Sequence, residues 1–236
     1  IFRSSMLNLR QDHTRFKWTP DYIRNAAKIG APMALQSVLM GGAQIVGTRI
    51  VAPLGNVSIA ANSFAITVES LCYMPGYGIG DAATTLVGQS MGAGRKDLTR
   101  KFAYMSVALG MSVMAVMGVV MYAGAPIFMG MMTPVEEVRQ LGVMALRIEA
   151  FAEPMFAAAI VSYGVFVGAS DTLIPSGMNL VSMWAVRIPI SAILAASLGL
   201  KGVWIAMCTE LCFRGVIFLC RLRWGNWMKF SIEKKQ

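Results

Sequence analysis

From Phe102 to Gly130 the chain reads FAYMSVALGMSVMAVMGVVMYAGAPIFMG, without one charged side chain. At ~1.5 Å per residue, a helix of this length exceeds the ~30 Å of a bilayer's hydrocarbon layer. Five further runs of the same character lie to either side, at 28–53, 57–87, 138–168, 174–198 and 202–222. Each is long enough to cross with some tilt. Short polar loops separate them, and Lys and Arg gather on every second loop. Arg3, Arg10, Arg15, Lys17, Arg24 and Lys28 precede or open the first run. Arg95, Lys96, Arg100 and Lys101 stand between the second and third, and Arg221, Arg223, Lys229, Lys234 and Lys235 close the chain. The alternate loops hold only Arg139 and Lys201, with Glu136 and Glu137 beside the former. Positively charged loops stay cytoplasmic, so an even number of spans places both termini inside. The expected fold is all-α: a polytopic transmembrane helical bundle of six helices in the cell membrane.

Composition agrees. The chain is 56% hydrophobic and only 14% charged, well below the charged share of a soluble domain. A net charge of +9 does not indicate nucleic acid here, because the bases flank the spans and lie beside the anionic leaflet. Cys72, Cys208, Cys212 and Cys220 fall inside or at the end of apolar runs, which argues against a disulfide framework and a CxxC metal site. His13 is the only histidine, so no metal site or cofactor is expected. The nineteen methionines follow no metal-like repeat and read as apolar filler.

Three regions follow. Residues 1–27 read as the end of a preceding helix (Ile1 to Leu9) and an amphipathic cytoplasmic connector, with Thr19-Pro20 as N-cap and first-turn proline. Residues 28–222 form the six-helix unit, and 223–236 a basic cytoplasmic tail. With Ile1 first and no signal-peptide layout, the chain reads as a piece of something larger. Proline and glycine are frequent inside the runs, as membrane helices tolerate. Met74-Pro75-Gly76-Tyr77-Gly78-Ile79-Gly80 concentrates them enough that a bend is expected there.

Ala82-Ala83-Thr84-Thr85-Leu86-Val87-Gly88-Gln89-Ser90-Met91-Gly92-Ala93-Gly94, followed by Arg95-Lys96-Asp97, closely resembles the loop between the second and third helices of the C-terminal lobe in the multidrug and toxic compound extrusion (MATE) family. Ile29-Gly30-Ala31-Pro32, Ala52-Pro53-Leu54-Gly55, Gly168-Ala169-Ser170-Asp171-Thr172, Trp184-Ala185-Val186-Arg187-Ile188-Pro189 and Trp224-Gly225-Asn226-Trp227 match further pieces in order. The resemblance covers nearly the whole chain. It implies one six-helix lobe of an antiporter that expels organic cations or amphipathic small molecules in exchange for Na⁺ or H⁺. The implied partners are the bilayer and the first lobe of the same protein, and transport by this lobe alone is not expected. Pro75, Gly76, Gly88, Gln89, Gly92 and Gly94 are its expected conformational residues. The acid thought to bind protons in the proton-coupled bacterial branch belongs to the first lobe, which the chain does not match. The acids of the sodium-coupled branch align with Met40 and Phe156, neither of which can coordinate a cation through a carboxylate.

The runs nonetheless carry charges of their own: Glu69, Asp81, Glu149, Glu153 and Glu210, with Arg49, Arg147, Arg187 and Arg214. An unpaired charge at the bilayer centre costs at least ~2.5–3.5 kcal/mol, so each must face protein, water or a partner. Counted from the loops, Glu69, Glu153, Arg187 and Arg214 lie near the midplane, where transporter sites commonly form. Glu69, Glu153, Arg187 and Glu149 are the candidate substrate- or ion-binding residues. Glu69 and Glu153 are expected to face a central cavity with Arg187 close by. Glu149 and Glu153 share a helix face and would repel if both ionised. Glu210 and Arg214, four apart, fit a structural ion pair better than a site, and Asp171 fits a turn cap before Pro175. A lipid-linked oligosaccharide or peptidoglycan-precursor flippase of the same superfamily would favour a more basic cavity. A membrane-embedded enzyme would need a Ser–His, HExxH or metal-ligand set, and none accompanies the paired glutamates.

Overall fold

The computed structural model describes residues 20–228. The expected end of a preceding helix, the connector as far as Thr19 with His13, and the tail from Lys229 lie outside these residues. Pro20 opens α1 (Pro20–Val51), where its missing N–H would have had no intrahelical partner. A 3₁₀ turn (Ala52–Leu54) and Gly55, at φ 91°, lead into α2 (Asn56–Gly92). Then come α3 (Lys96–Met132), α4 (Glu136–Glu149) and α5 (Glu153–Gly168). The last elements are α6 (Leu173–Val181), a π-helical segment (Ser182–Arg187), α7 (Ile188–Leu198) and α8 (Leu200–Trp224). The described residues contain no strand. By length and composition, five helical segments can cross a membrane: Ala26–Leu54, Asn56–Gly92, Lys96–Met132, Leu173–Leu198 and Leu200–Trp224. Taken as one span, α4 and α5 make the sixth.

That sixth span corrects the expectation of one straight helix over 138–168: its halves meet at 59°. Pro154, in the first turn of α5, has no N–H to offer the carbonyl of Ala150 four residues back, so the ladder opens there. The bend expected at Met74–Gly80 is not a break, and α2 runs continuously through Pro75. Pro189 disturbs the fifth span in a milder way. It leaves the carbonyl of Ala185 without its donor, and the turns just before it widen into the π segment.

Helices gain little from the hydrophobic effect when lipid is the alternative neighbour, so close approach and hydrogen bonds must hold them together. The contact of α2 with α5 is built that way. A Cβ on Gly164 would lie 2.3 Å from the carbonyl oxygen of Gly80, and one on Gly168 2.4 Å from that of Thr84. Thr84 Oγ1 donates to the Gly164 carbonyl at 2.8 Å. Helices α2, α3, α5 and α8 form the core, with α4 packed on α2, α3 and α8. Met114, Met121 and Met129 are fully buried within it, in keeping with methionine as filler. Helix α1 stands apart, packing on α6, the π segment and α7.

Two helices of the core, α2 and α5, close with the same cap. At the end of α2, Arg95 N–H bonds the Ser90 carbonyl and Gly94 N–H that of Met91, each at 3.0 Å. Gly94 takes φ 69°, completing a Schellman motif. At the end of α5, Asp171 N–H bonds the Phe166 carbonyl and Ser170 N–H that of Val167, each at 2.9 Å, with Ser170 at φ 60°. Asp171 is therefore not the cap of the next helix. Its carboxylate pairs with Arg221 of α8, whose guanidinium lies 5.4 Å from the centre of the Phe166 ring.

Candidate functional site

Four residues at successive four-residue intervals, Glu69, Tyr73, Tyr77 and Asp81, run along one side of α2. Side chains four apart on a helix lie one above the other, and this stripe borders the gap between α1 with α6 and the core. Met33, Gln36, Met40 and Gln44 approach from α1. Three cavities follow one another along the gap. The middle one, about 160 Å³, is lined by Glu69, Tyr73, Tyr77, Phe156, Arg187 and Arg214 among others. It shares Met40, Tyr77, Phe156 and Arg214 with a second cavity of about 310 Å³ that reaches Asp81, Gln36 and Tyr163. In the other direction it shares Gln44 and Arg187 with a smaller one, about 60 Å³, that reaches Asn62 and Trp204.

Aromatic rings make up one wall. Tyr73 stands edge-on to both Tyr77 and Phe156, with centroids 5.6 and 5.7 Å apart. Arg214 lies 5.5 Å over the Phe156 ring. Its Nε is 3.1 Å from Glu210 Oε1, and Ser182 Oγ donates to the same oxygen at 2.5 Å. Glu210 is thus satisfied inside the bundle, and with Arg214 it forms the structural pair expected four residues apart. Ser182 was not foreseen. It comes from the π segment, 28 positions away in sequence.

Arg187 ends the π segment and lines the middle cavity, its Nη2 2.7 Å from Met207 Sδ. No salt bridge among the described residues includes Arg187 or Glu69. The two are nonetheless within electrostatic reach of each other. Glu69 is only 3% exposed and lies on the wall of this cavity. Glu153 and Glu149, each 1% exposed, stand on either side of the break between α4 and α5, and neither lines this cavity. All four of their carboxylate oxygens are buried without a hydrogen-bond partner. Glu149 is within electrostatic reach of Glu69, Arg187, Glu153 and Glu210. The charges therefore form one connected cluster, with Glu69 at its open edge.

Of the remaining singled-out residues, Gly76 faces Met114 Sδ, 3.1 Å from where a Cβ would sit, and Gly88 faces the Gly168 carbonyl at 3.5 Å. Gln89 accepts from Ala93 N–H within the cap, and Gly92 has open space around it. Pro75 lies in the unbroken middle of α2. Met40 and Phe156, far apart in sequence, both line the middle cavity. The polar and aromatic wall residues Gln36, Gln44, Tyr73, Tyr77 and Tyr163 were missed by sequence reading. The available signal was the four-residue spacing of Tyr73 and Tyr77 between Glu69 and Asp81 on α2, and the eight-residue spacing of Gln36 and Gln44 on α1; Tyr163 on α5 had none.

Charged, amide and aromatic side chains are gathered inside a bundle whose helices can cross a membrane, and the chain is of the class of polytopic helical membrane proteins. More narrowly, the profile described as MatE matches residues 32–193, and the chain belongs to the MatE family. The probable multidrug resistance protein NorM of Brucella suis is 30% identical over 89% of this chain and 48% of its own length. The NorM protein of Thermotoga maritima is 24% identical over 100% of this chain and 51% of its own. The Vibrio cholerae MATE transporter VcmN in its bent form superposes with a TM-score of 0.81 at 16% identity, over 94% of this chain and 51% of that one. The chain spans about half the length of the curated relatives it matches. The family is one of transporters, not enzymes.

Proposed function

We propose that the chain supplies the second lobe of a secondary active efflux transporter that expels cationic or amphipathic drugs in exchange for Na⁺ or H⁺. Family membership and the multidrug-resistance names of the relatives support the class. The observation that carries the mechanism is Glu69: a carboxylate in no salt bridge among the described residues, on the wall of an aromatic-lined cleft within the bundle. Aromatic faces attract organic cations, and a carboxylate beside them can hold either the drug cation or the coupling ion. Mutual exclusion at that carboxylate couples the two movements. Glu153 and Glu149 act from behind it, since a charge on either raises the cost of a second one nearby. Arg187 opposes them and biases which carboxylate is occupied. The glycine-rich end of α2 is the pivot of the cytoplasmic side. Alternating access needs two lobes rocking about a shared cavity, so efflux belongs to the protein with both.

The test is efflux of ethidium from right-side-out vesicles containing the full-length protein under imposed Na⁺ or H⁺ gradients. Glu69→Gln and Glu153→Gln should each slow coupled efflux about tenfold or more, equivalent to ~1.4 kcal/mol in the limiting barrier, with membrane abundance unchanged. Wild-type efflux in both variants would leave the two acids with a structural role only.

A further inference from the structure

Away from the cleft, at the end of the bundle formed by the α3–α4 and α7–α8 connections, α3, α4 and α8 enclose an open groove of about 940 Å³. Its floor is apolar, with Ile127, Val143, Ile148 and Ile205. Its charged lining residues are Glu136, Arg139, Arg147 and Lys201. Glu136 is already engaged by Arg139 and Gln140. Arg147 and Lys201 are both exposed and appear in none of the salt bridges among the described residues. Among the described residues, Arg147 stands over the face of Tyr122, 5.3 Å from its guanidinium carbon.

The position of Arg147 is unusual for an exposed cation. It lies eleven residues beyond the first of α4, at most about 16 Å along the helix. An arginine at that depth beside lipid needs an anion. Helical side chains lean toward the N-terminus, which here is the loop end, so the guanidinium reaches back toward the headgroup level while its stem covers apolar surface. We infer that this groove binds an anionic phospholipid, its phosphate held between Arg147 and Lys201 and one acyl chain lying along the floor between α3, α4 and α8. The charge complementarity selects the headgroup, and the apolar floor selects a lipid over a soluble anion. Guanidinium suits phosphate through paired N–H donors, with Lys201 adding a point charge.

Photoreactive phosphatidylglycerol and phosphatidylcholine, identical in acyl chains and carrying a diazirine on one of them, decide the matter in nanodiscs of the full-length protein. Phosphatidylglycerol should label peptides covering 122–151 and 201–209 about fivefold or more over phosphatidylcholine, the preference one basic side chain confers near an anionic lipid. Arg147→Gln with Lys201→Gln should bring the two lipids to parity at these peptides, whereas Lys101→Gln, at the opposite end of α3, should leave the preference intact. Equal labelling of the wild-type groove by both lipids, or a preference undiminished in the double variant, overturns the proposal. So does a groove that stays unlabelled while native mass spectrometry shows a dimer, because a second copy would then be the occupant. The wild-type labelling pattern stands without any variant, so a folding defect in the double variant leaves the proposal open to refutation.

Discussion

Ser170 holds a left-handed backbone, φ 60°, at the cap position where α2 uses Gly94. A side chain with a Cβ is strained there by roughly 1–2 kcal/mol, and serine has no compensating advantage over glycine in the cap itself. Ser170→Gly should therefore stabilise the protein by about 1 kcal/mol, less the entropy glycine returns to the unfolded chain. Gly94→Ser should cost a similar amount. Thermal unfolding in detergent checks both, and a lower midpoint for Ser170→Gly would mean its hydroxyl has a partner beyond the cap. At this scale the sequence disclosed the charges but not their company. Glu69, Glu149, Glu153 and Arg187 stand out because charge inside an apolar run is costly. Of what satisfies Glu210, Arg214 was legible at four-residue spacing but Ser182 was not, since it reaches Glu210 from another span. Likewise Glu153 was expected at the cavity and is buried without lining the one that Glu69 lines, because depth along a helix says nothing of which way the helix is turned.

The crossing of α2 and α5 depends on the absence of side chains. Gly164→Ala would force a methyl group onto the Gly80 carbonyl, 2.3 Å away, and should destabilise by about 1–3 kcal/mol as the helices part. Gly177→Ala in α6 meets nothing within 4 Å and should be neutral or stabilising, by up to about 1 kcal/mol of helix propensity. Thermal unfolding of the pair isolates packing from propensity, and equal midpoints would show that the α2–α5 interface yields freely. Hydropathy located these helices well but measured the lipid layer, not the helix. Thus α3 begins at Lys96, six residues before its apolar run, because Lys96, Asp97, Arg100 and Lys101 can be helical outside the hydrocarbon. The break at 150–152 escaped for the opposite reason: Ala150, Phe151 and Ala152 are as apolar as the helices they separate. Pro154 was the clue. Pro75, Pro126 and Pro32 show that proline inside a run does not by itself break a helix.

For the molecule as a whole, the distribution of bases predicts one orientation: both ends and the loops at Arg95 and Ser170 cytoplasmic, with those at Asn56, Glu136 and Leu200 outside. Single cysteines at 95 and 136 in a cysteine-free background test it with a membrane-impermeant maleimide on intact cells. Labelling at 136 and not at 95 is expected, and the reverse pattern overturns the orientation.

Helix α1 packs on α6, the π segment and α7, and the cleft follows the boundary between α1 with α6 and the helices α2, α5 and α8, while α7 and the π segment are themselves packed on α8. Among the described residues, α1 is tied to other elements by two side-chain hydrogen bonds: Tyr163 of α5 donates to Gln36 across the boundary, and Thr172, at the N-cap of α6, donates to the Ile29 carbonyl. At about 0.5–1.5 kcal/mol each, these are within a few multiples of thermal energy. The space that holds Glu69 is therefore bordered by a helix tied across it by little hydrogen bonding, and α1 is expected to yield there before the packed core does. If the proposed function holds, a guest larger than the resting volume would enter by displacing α1, and the size it tolerates would be set by how readily that one helix gives way.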